Sequence, residues 1–467
     1  MSDNNDCKLR IMTRLGNAVL VVAVCIGYLS TVVAIKASSG NNGKCKQPPD
    51  TATVTIFLTG DVLGELKPCG CASGQLGGFE KRASILQKVT TDKKLVIDTG
   101  NFIADETEQD IIKFGIIMQA LGMLGYDIVN LTDNDIRIAT ELGLLESVSF
   151  DVISYASEPD STISATRTRE LQIGDKCLLV AVSSAKGGSQ QIESVQKLFP
   201  TRHNGHEGPI LNILITDDCR EHLIEHISDM DVVDVLICPA SADEPVIVDQ
   251  KREKPMVLTV GRLGKYVGQL TVRLGEGQSL QLDYKEVPVD EQLPSDEELV
   301  QLYKQYQFMV AEEELLEKVI KVPLPNGLQY LGSTSCGFGS SCHQYEYEKW
   351  SQKAHAKAYQ TLVDVGSQYD PECIKCHVVG LDYETGFVSE KSHEDLRNVG
   401  CEVCHGPGSK HLTAVIAGKN ETDISEPQSV CIDCHTPEHS NYEGREDEYM
   451  QKIRHWKEPK QAGDVKK

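Results

Sequence analysis

Positive charge is what this chain has least of. It carries 46 Lys and Arg against 69 Asp and Glu, a formal net charge of −23. Binding a phosphate backbone needs basic surface, so the shortage argues against nucleic acid as a partner. It leaves a soluble, self-repelling body that would meet basic partners best. Strand signals are also missing after residue 325, where Cys, His, Gly and turn residues dominate. A segment with so little regular core needs another source of cohesion. At 467 residues the chain is too long for one core and predicts two or three domains.

Leu15–Ile35 is uncharged and largely apolar, close to the ~20 residues that span a bilayer core as a helix. Lys8, Arg10 and Arg14 precede it, which predicts a cytoplasmic N-terminus (1–14) and a transmembrane signal anchor over 15–36. A cleaved signal peptide, with Val32 and Ala34 at its cleavage site, is the alternative. Either way the main body is expected on the extracytoplasmic, periplasmic side. Residues 37–52, rich in Gly, Asn, Ser and Pro, read as a tether.

From Thr53 the pattern changes. TVTIFL (53–58), LVID (95–98), DIVNL (127–131), CLLVAV (177–182), NILIT (212–216), VDVLIC (233–238) and MVLTV (256–260) read as buried strands. Helical apolar spacing lies between them over Phe79–Val89, Asp110–Leu124 and Arg137–Ser147. That alternation predicts an α/β domain with a substantially parallel sheet over 53–290. Residues 267–274 and 280–287 alternate with period two and predict a hairpin. A charged helix from Asp296 to Ile320, with Ser295 as its cap, is expected to connect (291–325) to a C-terminal domain over 326–460.

Eight of the 16 cysteines lie in that last domain. Cys373–His377, Cys401–His405 and Cys431–His435 are C-x-x-C-H motifs, with Cys376, Cys404 and Cys434 as the second thiols. Two thiols bond the vinyl groups of a haem, and the adjacent His supplies an axial ligand to iron. Three such motifs in about sixty residues predict several copies of haem c by the same spacing rule. Zinc sites or redox dithiols do not require a His after every second Cys. A fourth pair, Cys336 and Cys342 followed by His343, has five residues between its thiols. Its glycines allow the longer loop to bulge. The expectation is about four haems, or three if Cys336 and Cys342 form a disulfide instead.

The stretches YLGSTSC with W-S-x-K-A-H-A (330–356), V-G-C-E-V-C-H-G-P-G-S-K-H (399–411) and C-I-D-C-H-T-P-E-H-S with Y-M-Q-K-I-R-H (431–455) resemble the tetrahaem cytochrome c family associated with hydroxylamine oxidation. The resemblance implies that His355, His411 and His455 are distal ligands, opposite the proximal His343, His377, His405 and His435. His393 is a weaker ligand candidate, and His439 is expected to be an ordinary turn residue. Three distal histidines for four proximal ones leave one haem open, and the resemblance favours the one on Cys373, Cys376 and His377.

FLTGDVLG (57–64), VIDTGNF (96–102), YDIVNLTDND (126–135), NILIT, VLICPASAD and VGRLGKYVGQLTVRL (260–274) are similar to the metal-dependent 5′-nucleotidase, or metallophosphatase-like, fold. That family uses two metals, held by Asp and His, to activate water. Here Asp61 remains, but the expected metal ligands fall at Leu63, Asn101, Asp133, Asn134, Thr216–Asp218 and Pro239–Asp243. The resemblance therefore implies a degenerate site. His203, His206, His222 and His226 do not repair it and read as surface residues. Lys67-Pro-Cys69-Gly-Cys71 resembles a C-G-C branch of the same fold, which implies thiol redox use of Cys69 and Cys71. The competing reading is packing thiols, or a bridge to Cys45, Cys219 or Cys238.

The sequence thus predicts a metallophosphatase-like α/β sandwich, a mostly helical or irregular multihaem domain and one N-terminal transmembrane helix. The expected function is electron transfer to redox partner proteins, the α/β domain serving as a docking or thiol-redox module. The alternatives are a haem enzyme acting on a small nitrogen or sulfur compound, and a metal-dependent phosphoesterase.

Overall fold

The computed structural model describes residues 53–68, 74–155, 163–188, 192, 195–200, 208–249, 254–275, 279–337, 342–419, 430–436 and 439–456. The expected membrane anchor, the tether, and Cys69 and Cys71 lie outside the described residues.

In the first strand, β1 (Thr53–Thr59), successive side chains point to opposite faces. Val54, Ile56 and Leu58 enter one apolar core and Phe57 another. Burial on both faces selects continuous β-branched and aliphatic runs. The other strands are β2 (Lys94–Asp98), β3 (Ile128–Asn130), β4 (Asp151–Ile153), β5 (Thr166–Ile173), β6 (Lys176–Ala185), β7 (Ile210–Thr216), β8 (Val235–Cys238), β9 (Met256–Thr259), β10 (Tyr266–Leu274) and β11 (Leu280–Pro288). They form a six-stranded sheet, β11-β10-β1-β2-β3-β4, and a five-stranded sheet, β5-β6-β7-β8-β9. Both are mixed: β10, β11 and β5 run antiparallel to their neighbours and the rest are parallel. The hairpin expected from the period-two stretches is the β10–β11 pair, with Leu270 opposite Tyr284. Strands β4 and β5 were not expected from the sequence.

Ile56, Ile97, Ile128, Val180, Ile213 and Ile237 fill the space between the sheets. The outer face of the first sheet is covered by α1 (Phe79–Leu86), α2 (Glu108–Met123) and α3 (Asp133–Glu141). The second sheet is covered by α4 (Glu221–Asp229), through Leu223, Ile224 and Ile227. The result is an α/β/β/α sandwich. Helices α2 and α3 start at capping boxes on Thr107 and Thr132.

Helix α5 (Glu297–Glu312) is shorter than expected and is capped by Asp296 rather than Ser295. The carboxylate of Asp296 accepts from the Glu298 and Leu299 amides, so the cap sits one residue later. Nor is α5 merely a connector: Leu299, Leu302, Tyr306 and Val310 pack into the α/β core beside α2.

Beyond it the chain forms short helices: α6 (Ser333–Gly337), α7 (Gln344–Trp350), α8 (Ala358–Val365), α9 (Pro371–Ile374), α10 (Cys401–His405), α11 (Ser409–Ile416) and α12 (Glu446–Ile453). One small core, built on Tyr359, Ile374, Leu381, Phe387 and their neighbours, packs α8 and α9 against the connecting segments.

Candidate haem-binding site

Each attachment motif sits on a helical turn. Cys401–His405 is α10 itself, and Cys373 lies in α9, which runs into a 3-10 turn over Lys375–His377. Cys431 lies in a 3-10 turn, Cys336 in α6, and His343 starts α7. Helical residues three apart share a face, so the two thiols of a C-x-x-C pair can point at one edge of a planar group. None of these eight cysteines is disulfide-bonded, Cys336 and Cys342 included. Cys336 is hydrogen-bonded to Cys401, and Cys376 to Cys434, so motifs distant in sequence meet edge to edge.

The histidines come together in a pattern. The rings of His343 and His411 lie 6.2 Å apart, those of His355 and His435 6.3 Å, and those of His405 and His455 6.3 Å. A coordinating imidazole nitrogen sits about 2 Å from its metal and about 1.1 Å from its own ring centroid, so two axial imidazoles place their centroids about 6.3 Å apart. The three pairs therefore have the separation of trans ligands on one metal. Each joins a motif histidine to one from elsewhere in the chain. Burial, and then the neighbouring His435, His455 and His377, push the His355 pKa down to about 4. Burial also lowers His405 and His435. Neutral imidazole is the ligating form.

Second partners orient the rings. His377 Nδ1 lies 2.5 Å from the Ala358 carbonyl, His455 Nδ1 3.0 Å from that of Ile453, and His435 Nδ1 3.1 Å from Ser440 Oγ. Such bonds leave Nε2 for a metal. A cleft is lined by Trp350, Val399, Cys401, Cys404 and both members of the last His pair, His405 and His455. Thiols, paired imidazoles and an apolar slot together fit a c-type haem.

Among the described residues His377 is the motif histidine whose ring does not meet another histidine ring. His393 and His439 turn to Ser392 and Thr436. Sequence reasoning missed Glu402, between the thiols of the third motif. Its buried carboxylate accepts from the Leu331, Gly332 and Gly408 amides at 2.7–3.0 Å. It thereby ties α10 to the segments leading to Cys336 and His411. Only the oddity of a carboxylate inside a buried turn signalled this.

At the strand ends of the α/β part, Asp61 Oδ1 accepts from Asn101 Nδ2 at 2.6 Å and its Oδ2 from the Ala240 amide at 3.2 Å. Asp135 accepts from the Asn101 and Phe102 amides, and Asp133 pairs with Lys186 at 2.6 Å. Asp61, Leu63 and Asn101 hold positive φ of 48°, 52° and 65°, so the tight loops persist and are tied by protein groups. Among the described residues no group of three or more His, Cys, Asp or Glu is placed to share a metal ion. His222 and His226 are exposed on α4, while His203 and His206 lie outside the described residues. Cys219 pairs with Cys238, which removes both as bridge partners for Cys69 or Cys71.

Residues 338–406 match the family described as Cytochrome c554 and c-prime. An 84-residue stretch is 37% identical to cytochrome c-554 of Nitrosomonas europaea, covering 15% of this chain and 36% of that protein. Over this stretch the C-terminal part is similar to c554-type cytochromes. The chain spans about a third of the curated relative it matches. The calcineurin-like phosphoesterase YfkN of Bacillus subtilis is 13% identical, with a TM-score of 0.40 over 55% of this chain and 97% of that one. A 5′-nucleotidase precursor of Thermus thermophilus is 16% identical, with a TM-score of 0.44 over 56% of this chain and 59% of that one.

Proposed function

We propose that the protein is a membrane-anchored, extracytoplasmic multihaem electron carrier whose α/β part is a docking or thiol-redox module without phosphoesterase chemistry. The observation that carries this is the set of three His–His pairs at the separation of trans axial ligands. In this reading His343 with His411, His405 with His455 and His435 with His355 would each hold one haem iron, and His377 would hold that of the remaining haem. Cys336, Cys342, Cys373, Cys376, Cys401, Cys404, Cys431 and Cys434 anchor four groups. Bound haem supplies one-electron chemistry, and the protein sets spacing and potential through axial ligands and burial. The Cys219–Cys238 bridge and a further disulfide at Cys177 support a location outside the reducing cytosol. The acidic surface suits redox partners with basic faces.

A second reading rests on His377, whose ring meets no other histidine ring among the described residues. An open axial position there would suit an enzyme acting on a small nitrogen or sulfur compound.

Acid–acetone extraction and intact mass test the first reading. Four non-extractable haems are expected. A mass gain equal to three removes Cys336–His343 as an attachment site, and extractable haem removes the reading altogether. Electron paramagnetic resonance separates the two readings: three low-spin haems and one high-spin haem that binds nitric oxide or cyanide favour the enzyme. Four low-spin haems that bind neither leave the carrier.

A further inference from the structure

Helix α2 belongs to the α/β sandwich, yet it buries two polar side chains one turn apart, Gln109 and Lys113, each 7% exposed. Residues four apart share a helix face, and buried polar groups are held only where they are paired. Both partners come from the C-terminal part. Gln109 Nε2 donates to Asp370 Oδ1 at 2.8 Å and to Tyr306 Oη at 2.8 Å. Tyr306 Oη donates to Asp370 Oδ2 at 2.8 Å. Lys113 Nζ lies 2.5 Å from Glu372 Oε2. Asp370 is itself buried and caps α9, accepting from the Glu372 amide at 3.0 Å and the Cys373 amide at 3.4 Å.

The carboxylate that α2 and α5 hold therefore also holds the backbone of an attachment cysteine. At the other turns the Cys401 amide donates to Ser333 Oγ, Glu402 is bound by Leu331, Gly332 and Gly408, and Cys431 meets Tyr442, partners that all lie in the C-terminal part.

We propose that the α/β part is a built-in clamp on the Cys373–His377 turn, with Gln109, Lys113, Tyr306 and Asp370 as positioning residues for the haem that turn carries. This rests on the cytochrome reading above. Three turns pair their motif histidine with a second histidine that would hold the same group, and among the described residues His377 has no such ring partner. Two thioethers and one imidazole then place that group, so the turn's own position counts for more. Lys113 also sets a cation beside this turn. That cation balances the Glu372 carboxylate, so its removal would leave an unpaired negative charge beside the turn, which favours the oxidised, more positive state.

The test is a potentiometric titration of the purified, haem-loaded full chain, read by optical and paramagnetic resonance spectra. Lys113→Met leaves only the exposed Glu372 without its partner. It should move one of the four redox waves to lower potential, alter the signal of one haem and leave the other three in place. Lys113→Arg should restore the wave. Tyr306→Phe keeps the ring and deletes one donor to Asp370, and should shift the same wave by less. Waves that all stay in place at full haem content would reduce the contact to simple packing and overturn the proposal. Four waves moving together would overturn it as well. A wild-type chain without covalent haem would instead sink the cytochrome reading, which the haem count reports separately.

Discussion

Three apolar clusters pack the α/β part, whereas one small cluster of nine buried side chains packs the C-terminal part. In the first, strands pair across two sheets, and α2, α3 and α5 carry side-chain caps. In the second, helices of four to eight residues lie around paired histidines and thiols, and Ile416, Ile432 and Trp456 stay exposed. Short helices are marginal in water, and a core this small offsets little conformational entropy. On the cytochrome reading the difference locates the missing cohesion: in the C-terminal part covalently attached haem would serve as core. The largest expected effect follows. Produced without haem attachment, the chain should lose the C-terminal fold while the sandwich stays intact. Limited proteolysis or hydrogen exchange decides this, and protection across 330–456 in the haem-free chain would break the comparison.

The sandwich should answer to ordinary core chemistry instead. Ile213 on β7 is fully buried between the sheets, opposite Val182 and Val235. Ile213→Ala should destabilise the α/β transition by about 2–5 kcal/mol. Haem content and the His-linked spectra should not change. A loss of haem together with this transition would show that the two parts do not fold independently.

The pH response should separate the parts too. Burial raises the Asp98 pKa from 3.8 to about 6, against hydrogen bonds from Thr59 and Gly100. A carboxyl raised on folding binds more protons in the native state, so its stabilising contribution is present below about pH 4 and is lost as pH rises through about 6. About two units amount to roughly 3 kcal/mol at neutral pH. Asp98→Asn should flatten the α/β stability profile between pH 4 and 7 and raise its neutral-pH plateau. An unchanged slope would remove Asp98 as the source.

How much was legible follows from what each element needs. The runs at 53–58, 177–182 and 212–216 announced themselves because parallel strands bury both faces. Strand β5, TRTRELQI, did not: it is an edge strand in which only Leu171 and Ile173 are buried. The proximal histidines are local to their motifs and readable by spacing. The partners His355, His411 and His455 came from resemblance alone, since a ligand on the opposite face can lie anywhere in the chain. The contact of Gln109 with Asp370 spans 261 residues and has no local signature. Likewise the α5 cap fell one residue from expectation because Ser295 and Asp296 are both good caps and backbone geometry chooses between them.

The smallest effect tests capping at one helix of each part. At α2, Thr107 Oγ1 accepts from the Asp110 amide at 3.2 Å, while Asp110 Oδ2 accepts from the Thr107 amide at 3.2 Å. Both orphan amides of the first turn are thus satisfied, and two acids face the positive end of the helix dipole. At α8 the equivalent residue is Lys357, with no side-chain bond and a backbone outside the extended region. Thr107→Ala should cost the α/β transition about 1 kcal/mol, the usual worth of such a cap. Lys357→Ala should change the haem-loaded part by less than about 0.5 kcal/mol, as for a surface site without special contacts. Denaturant midpoints measured by far-ultraviolet dichroism for the sandwich and by haem absorbance for the C-terminal part give the two numbers separately. Equal costs at the two positions would mean that α8 owes its stability to its own ends after all, and that the haem is less of a core than the comparison requires.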